Sequence, residues 1–294
     1  MNAPDPKTKA EALSFWRRPV TAEPLPGGLT NANFLVRYDH DRFVVRIGND
    51  IPVHHVMRFN ERQASLAAHA AGLSPKVVYH EPGALVVEFI EGRALTPQEL
   101  RAPPMLARAA ELIRACHTTM IEHLRGPLMM FWPFYIIRDY AATLREGRSR
   151  WIGHLPELLA LAAKLERRVG SIDIAFSHND LLAANFIDDG TRLWLVDWDY
   201  AGFNSPLFDL ANFASNNGLD EEQERELLHL YHGGTPADRV WQGFQVMRAL
   251  SLLREAMWGM VSELHSTLDI DFVAYASEHL SKFEAEMARV PRSR

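Results

Sequence analysis

The spacing of apolar residues changes near residue 90, and this change constrains the fold more than any other feature of the chain. Before it, apolar and polar residues alternate over 34–38 and 43–47, and a polar turn at 39–41 joins the two runs. Such alternation predicts a β-hairpin. A helix is predicted over 55–71, and a second pair of strands over 76–80 and 84–89. Residues 1–90 are therefore predicted to form a small β-rich N-lobe.

After Gly92 the apolar residues recur at helical spacing. Thr96 and Glu99 form a capping box with Pro97 at the first helical position, so a helix is predicted from there to about residue 122. Further helices are predicted near 138–146, 155–170, 220–232, 236–265 and 272–289. A β-like island interrupts them at 174–176, 186–188 and 193–197. The fold class is therefore α+β and bilobal, with residues 91–294 forming a larger, mainly helical C-lobe.

Composition excludes several classes of function. The net charge is -6 and no long basic run occurs, so nucleic acid is not a predicted partner. The N-terminus lacks an apolar segment of signal-peptide length, and no run approaches the roughly 20 apolar residues that cross a bilayer. The single cysteine, Cys116, allows no disulfide within the chain. We expect a cytoplasmic protein without membrane insertion, either a monomer or a homodimer.

The segment 176–199 contains the most informative group of polar residues. Asp180 is followed five residues later by Asn185, and Asp197 comes after a predicted hairpin that returns the chain toward them. Phosphoryl transfer needs one carboxylate that orients the attacking hydroxyl and accepts its proton. It also needs an amide oxygen and a second carboxylate that hold Mg²⁺ against the phosphates. Asp180 suits the first role, and Asn185 with Asp197 suits the second.

This segment resembles the protein-kinase-like superfamily, and within it the choline kinase and aminoglycoside phosphotransferase group. The loop from His178 to Asn185 matches that group, and so do residues 197–202 and 208–212. The resemblance covers roughly residues 24–283. It implies that ATP and Mg²⁺ bind between two lobes and that the phosphate goes to a hydroxyl of a small amino alcohol or cationic metabolite. The choline-kinase-like branch typically has Glu at the position of Asp199.

Within this resemblance His178 is a second candidate catalytic residue, although in the resembling families it mostly braces the loop. Asp209 is expected to accept backbone hydrogen bonds from the loop of residues 178–185, called the catalytic loop below, or to cap the helix that starts near residue 207. Both alternatives for Asp209 are structural roles.

Nucleotide contacts are expected from the glycine-rich segment before the first predicted strand and from the junction between the lobes. Thr30 and Asn31 follow two glycines and could contact a phosphate or the acceptor. The segment lacks the spacing of a dinucleotide-binding loop and precedes a strand, so it is not a Walker loop. The resemblance implies that backbone groups from Glu88 to Ile90 bind the adenine edge.

The phosphate-binding cation is expected on the strand after the glycines, where this chain has Arg46 instead of the lysine of protein kinases. Arginine can contact phosphate oxygens through two N–H groups at once. The resemblance implies an acidic partner on the next helix, and Glu61 fits. The alternatives are a surface charge at a strand end for Arg46 and a solvated helix face for Glu61.

The acceptor site is expected to combine aromatic and acidic side chains, which attract a cation. Four aromatic residues are candidates: Trp198, Tyr200, Trp258 and Tyr275. Residues 252–259 resemble the tryptophan-rich helix of choline kinases, where Trp258 matches one tryptophan and Glu255 replaces another. Asp199 is also an expected acceptor contact. An amine acceptor is predicted, with ethanolamine, thiamine-like cations and amino sugars open beside choline; Trp258 could instead be ordinary helix packing.

Two other functions are considered for the same residues. An aminoglycoside or sugar phosphotransferase would share the catalytic loop but would need a wide acidic cleft for a large polycation. A nucleotide-binding pseudokinase would bind ATP without turnover. The presence of Asp180, Asn185 and Asp197 argues against the second function, and Arg46 in place of lysine is the feature that favours it.

Overall fold

An antiparallel sheet forms the N-terminal part of the computed structural model, which describes residues 5–28 and 31–290. In the described part of the chain its strand order is β1-β2-β3-β5-β4. The strands are β1 (Ala22–Leu25), β2 (Ala32–Tyr38), β3 (Asp41–Ile47), β4 (Val77–Glu81) and β5 (Ala84–Glu88). Two helices accompany them, α1 (Pro6–Glu11) and α2 (Arg58–Ala70). Both predicted hairpins and the helix between them are therefore present.

Two details of this sheet differ from the prediction. Strand β1 lies where a turn-rich segment was predicted, and its Pro24 pairs with Phe34 at the edge of the sheet. Proline is tolerated there because an edge strand can leave one side without hydrogen-bond donors. Helix α2 begins three residues later than predicted, because His55 has a left-handed φ of 60° that a helix cannot include.

The rest of the chain is mainly helical. The helices are α3 (Pro97–Leu100), α4 (Pro103–Thr119), α5 (Pro133–Glu146), α6 (Leu155–Val169), α7 (Pro206–Asn217), α8 (Glu221–His232), α9 (Asp238–His265) and α10 (Phe272–Arg289). Short strands lie among them: β6 (Arg93–Ala94), β7 (Ala175–Ser177), β8 (Phe186–Asp188), β9 (Leu193–Leu195) and β10 (Gly202–Asn204). The predicted helix over 97–122 is in fact two helices, because Ala102 before Pro103 is extended.

The short strands position the catalytic loop. Strand β7 pairs with β10, which the sequence did not predict, and β8 pairs with both β6 and β9. Paired strands therefore hold both ends of the segment between β7 and β8, and both ends of the segment between β9 and β10. These two segments contain the polar residues singled out above.

Helix α9 lies at the centre of the helical part and packs against α5, α6, α7 and α10. Its buried residues surround the helix axis, as expected for a helix enclosed by other helices. Arg254 is among these buried residues. Within the described ranges, no helix is both long and apolar enough to cross a membrane. The expected α+β fold, with a β-rich N-terminal part and a larger helical part, is confirmed; a domain boundary at residue 90 stays a prediction.

Candidate active site

The catalytic loop follows β7 and is held by a carboxylate of α7. Asp209 is fully buried and accepts hydrogen bonds from the backbone N–H groups of His178 (2.8 Å) and Asn179 (2.6 Å). Asn179 has a left-handed φ of 67°, and its side chain bonds backbone carbonyls including that of Tyr200. Of the two roles expected for Asp209, its contacts fit the acceptance of backbone hydrogen bonds from the catalytic loop. The N-cap of α7 is Ser205 instead.

The side chain of His178, at the start of the catalytic loop, packs against the residues on either side of Asp197. Its Nε2 atom is 3.0 Å from the carbonyl oxygen of Val196, and its ring packs 4.7 Å from that of Trp198. Burial lowers the pKa of His178 below its ordinary value. This position joins the catalytic loop to the segment that carries Asp197, which fits a bracing role better than direct chemistry.

Asp180 and Asn185 lie together at one cavity. The Asn185 side-chain amide donates to the backbone carbonyl of Asp180 at 2.9 Å, which leaves the amide oxygen for another contact. Burial raises the pKa of Asp180 to about 8, against the opposing charge of Arg254. Both residues line a cavity of about 250 Å³, which Asp197 and Glu255 also line. A carboxyl group of this pKa can exchange a proton near neutral pH.

Asp197 follows β9 in a left-handed conformation with a φ of 70°. Backbone strain of this kind persists where the surroundings hold the residue in place. Arg46 donates a hydrogen bond to one of the two carboxylate oxygens of Asp197. Among residues 5–28 and 31–290, no three His, Cys, Asp or Glu side chains converge as a metal site. A cation held by Asn185 and Asp197 would therefore take further oxygens from phosphate and water, which suits Mg²⁺.

Two arginines and two carboxylates form a closed ring of ion pairs beside Asp197. Arg46 bonds Glu61 at 2.8 Å and Asp199 at 3.1 Å. Arg58 bonds the same two carboxylates, at 2.6 Å and 2.9 Å. Burial lowers the pKa of Arg46, but the carboxylates of Asp197, Glu61 and Asp199 together raise it well above its ordinary value. The predicted Arg46–Glu61 pair is thus present as part of a larger network.

Arg58 is a site residue that the sequence analysis missed. It lies one helical turn before Glu61 on α2, and this spacing was the available signal. Asp199 is buried, and it also accepts a hydrogen bond from the Asn31 amide at 2.9 Å. The structure therefore places Asp199 against cations and an amide of the N-terminal part, although it also lines the 250 Å³ cavity. Thr30 lies outside the described residues.

A second cavity, of about 400 Å³, separates the sheet from the catalytic loop. Glu88 and Ile90 line it, and so do Arg46, Asn185 and Asp197. The groups expected to contact adenine and those expected to contact phosphates and metal therefore share one space.

Three of the four aromatic residues expected at the acceptor site contact one another: Trp258 packs on Tyr275 and bonds Tyr200. The indole N–H of Trp258 donates to the hydroxyl of Tyr200 at 2.9 Å, and both rings are buried. Glu255 accepts a hydrogen bond from the hydroxyl of Tyr275. Arg254, also missed by the sequence analysis, is paired with Glu255 and lies over the ring of Tyr200.

Comparison with known proteins points to one family. The family model described as choline/ethanolamine kinase matches residues 22–232. Ethanolamine kinase 2 of Mus musculus is 27% identical over 296 aligned residues, which cover 90% of this chain and 76% of that protein. A crystal structure of a choline/ethanolamine kinase family protein from Mesorhizobium loti is 26% identical, with a TM-score of 0.77 over 96% of this chain and 93% of that one.

More distant structures share the fold. The structure of LicA in complex with AMP has a TM-score of 0.77 at 22% identity and covers 97% of each chain. The GDP complex of an aminoglycoside 2'-phosphotransferase-IIIa mutant has a TM-score of 0.64 at 16% identity, over 92% of each chain. The family model, which covers most of the chain, spans the sheet, the catalytic loop and the Asp197 segment alike. The chain belongs to the choline/ethanolamine kinase family.

Proposed function

We propose that this chain transfers the terminal phosphoryl group of Mg²⁺-ATP to the hydroxyl of a small amino alcohol. The observation that carries the proposal is the position of Asp180, Asn185 and Asp197. The last two line both the cavity beside the sheet and the cavity beside α9, and Asp180 lines the α9 cavity. A nucleotide in one cavity and an acceptor in the other would therefore meet at these residues.

The proposed role of Asp180 is to orient the acceptor hydroxyl and take its proton. Its pKa of about 8 leaves a fraction of the carboxylate ionised at neutral pH. Proton acceptance by such a group is most efficient when its pKa lies near the working pH. The proposed role of His178 is to brace the loop, which its hydrogen bond to Val196 supports.

Asn185 and Asp197 are proposed to hold Mg²⁺, which when bound neutralises charge on the phosphates. Arg46, oriented by Glu61, is proposed to contact phosphate oxygens. Thr30 and Asn31 are proposed phosphate or acceptor contacts, and the backbone from Glu88 to Ile90 is proposed to bind adenine. Asp199, Tyr200, Glu255 and Trp258 are proposed to shape the acceptor side. Most of the rate enhancement would then come from positioning and charge neutralisation.

The size of the acceptor cavity favours a small acceptor. About 250 Å³ suits an amino alcohol of a few heavy atoms better than an aminoglycoside of several rings. The pseudokinase alternative is disfavoured because the three polar residues that turnover requires are together at one site. A cytoplasmic location and a monomeric or homodimeric state are also proposed, on the sequence features described above.

The test is an ADP-release assay with Mg²⁺-ATP and a panel of acceptors: ethanolamine, choline, thiamine, glucosamine and kanamycin. We expect saturable, acceptor-dependent ADP release with an amino alcohol, and at least a hundredfold slower release with the Asp180→Asn variant. Preferred turnover of kanamycin or glucosamine would contradict the proposed acceptor. ATP binding without turnover of any acceptor would contradict the proposed activity and support the pseudokinase reading.

A further inference from the structure

The acceptor side of the cavity contains a cation that belongs to the protein itself. The guanidinium carbon of Arg254 lies 4.7 Å from the ring centroid of Tyr200 and 5.5 Å from that of Phe131. Arg254 is 2% exposed, and its Nη1 atom is 2.5 Å from a carboxylate oxygen of Glu255. A guanidinium over an aromatic ring occupies the position that a bound ligand cation would take in a cation–π contact.

The other aromatic candidates also have protein groups against their rings. Trp258 is 6% exposed and packs on the imidazole of His54 at 5.2 Å. The ring of Tyr275 lies 4.3 Å from that of His279, tilted by 30°. Trp198 is 2% exposed and packs on His178. A methylated ammonium ion would need an open aromatic face; the two buried tryptophans offer it little surface, and the partly buried Tyr275 has a histidine against its ring.

Glu255 differs from these rings because it keeps unused hydrogen-bonding capacity. One oxygen accepts from the Tyr275 hydroxyl and the other from Arg254, while the side chain stays 16% exposed and lines the cavity. A carboxylate has about four acceptor positions, so about two remain. Because Arg254 offsets its charge, Glu255 attracts a ligand more through directional hydrogen bonds than through net charge.

We propose that Arg254 and Glu255 select an acceptor whose amine carries N–H hydrogens and reject a quaternary ammonium. A primary ammonium can donate to the remaining positions of Glu255 and so tolerate the nearby guanidinium. A trimethylammonium group has no N–H to donate and finds the ring of Tyr200 covered by Arg254. It is therefore repelled by the guanidinium without gaining hydrogen bonds to Glu255 in return. Arg254 is thus a specificity-determining residue of the acceptor site, a role that rests on the proposed kinase activity.

The direct test uses a series of acceptors that differ by single methyl groups: ethanolamine, N-methylethanolamine, N,N-dimethylethanolamine and choline. We expect kcat/KM to fall along the series, by about a hundredfold or more in total, since two hydrogen bonds are lost and a repulsive charge remains. Choline turned over as well as ethanolamine would overturn the inference and leave the proposed kinase function standing. Absence of turnover with all four would overturn the proposed function, and the inference with it.

A double variant tests the residues themselves. Arg254→Met together with Glu255→Gln removes both charges, so no buried ion is left unpaired. We expect the ratio of choline to ethanolamine kcat/KM to rise at least tenfold, because the positive charge over the ring of Tyr200 is removed. An unchanged ratio would overturn the assignment of Arg254.

A matched control exists on α8, where Arg225 stacks 4.0 Å from the ring of Trp241 and pairs with Glu221. Arg225→Met with Glu221→Gln should leave the choline to ethanolamine ratio unchanged. If the Arg254 double variant fails to fold, thermal shifts of the wild-type protein decide the matter. Saturating ethanolamine should raise its melting temperature more than choline does, and the reverse order would overturn the inference.

Discussion

A guanidinium nitrogen of Arg46 lies 2.8 Å from a carboxylate oxygen of Asp197. This contact joins strand β3 to the segment after β9, and it pairs the residue proposed to bind phosphate with the residue proposed to bind metal. Without ligands, each charge therefore compensates the other. Nucleotide and Mg²⁺ have to compete with this ion pair, so we expect their binding to be interdependent.

The interdependence can be measured by calorimetry. In wild-type protein, ATP should bind more tightly when Mg²⁺ is present, because the cation takes over the contact to Asp197 and releases Arg46 toward phosphate. In Asp197→Asn the side chain at position 197 is uncharged and binds both Arg46 and Mg²⁺ less strongly. The effect of Mg²⁺ on ATP affinity should therefore shrink at least several-fold. An equal effect of Mg²⁺ in both proteins would contradict the proposed exchange of partners.

Replacing Asp180 by Asn should abolish most turnover while preserving the fold. Loss of a positioned proton acceptor typically lowers kcat by about a hundred- to ten-thousandfold. Because Asn cannot ionise, the variant also avoids burying a carboxylate whose pKa is raised to about 8. Between about pH 4 and pH 8 the unfolded wild-type chain releases this proton while the folded chain keeps it, so wild-type stability falls as pH rises. The melting temperature of the variant without nucleotide should therefore exceed that of the wild type by a margin that grows up to about pH 8. Near-normal kcat with the true acceptor would contradict the role of Asp180.

The ring of ion pairs predicts strong coupling between Arg58 and Asp199, which are 2.9 Å apart. Arg58→Met and Asp199→Asn should each destabilise the protein, because each removes one of the ion-pair partners of two buried charges that remain in the ring. The double variant should lose less than the sum, with a coupling energy of about 0.5–3 kcal/mol in urea unfolding. Strict additivity would show that the two side chains do not interact in solution.

His54 predicts a loss of stability in acid. Burial, reinforced by the positive charge of Arg254, lowers the pKa of His54 from 6.5 to about 3. Between these values the unfolded chain binds the proton and the folded chain does not. The free energy of unfolding therefore falls as pH decreases from 6.5 toward 3. The slope is about 1.4 kcal/mol per pH unit at most.

Urea unfolding at pH 4, 5, 6 and 8 measures this effect. His54→Gln retains a polar side chain that does not titrate, so its stability should decline less steeply than that of the wild type below pH 6. Parallel pH profiles for the two proteins would contradict the assignment to His54.

Gly92 is predicted to be intolerant of a side chain. A Cβ atom at this position would lie 2.7 Å from the carbonyl oxygen of Asp188, which cannot move freely because it belongs to β8. Gly92→Ala should therefore cost about 1–3 kcal/mol in unfolding free energy. Gly153→Ala is the matched control, since nothing lies within 4 Å of a Cβ added there. Equal stability of the two variants would contradict the packing argument.

The sequence predicted the elements whose signals are local. The hairpin of β2 and β3, the capping box at Thr96 and Glu99, and the spacing of Asp180 and Asn185 each lie within a short segment. Local patterns of this kind depend on alternation, helical period and turn residues, which neighbouring residues determine. The start of α2 was predicted three residues too early, and the break before α4 was not predicted, because the conformations of His55 and Ala102 decide them.

The partners of charged residues were decided by the tertiary structure. Asp199 was expected at the acceptor and does line that cavity, but it also contacts Asn31, Arg46 and Arg58, which lie more than 140 positions away along the chain and which the sequence did not indicate as its partners. Arg254 looked like any helical arginine until the packing around α9 buried it over Tyr200. The sequence by itself indicated which groups are candidates for the chemistry and in what order they follow along the chain. Folding decided which charges neutralise one another, because ion pairing depends on distances that sequence separation does not reveal.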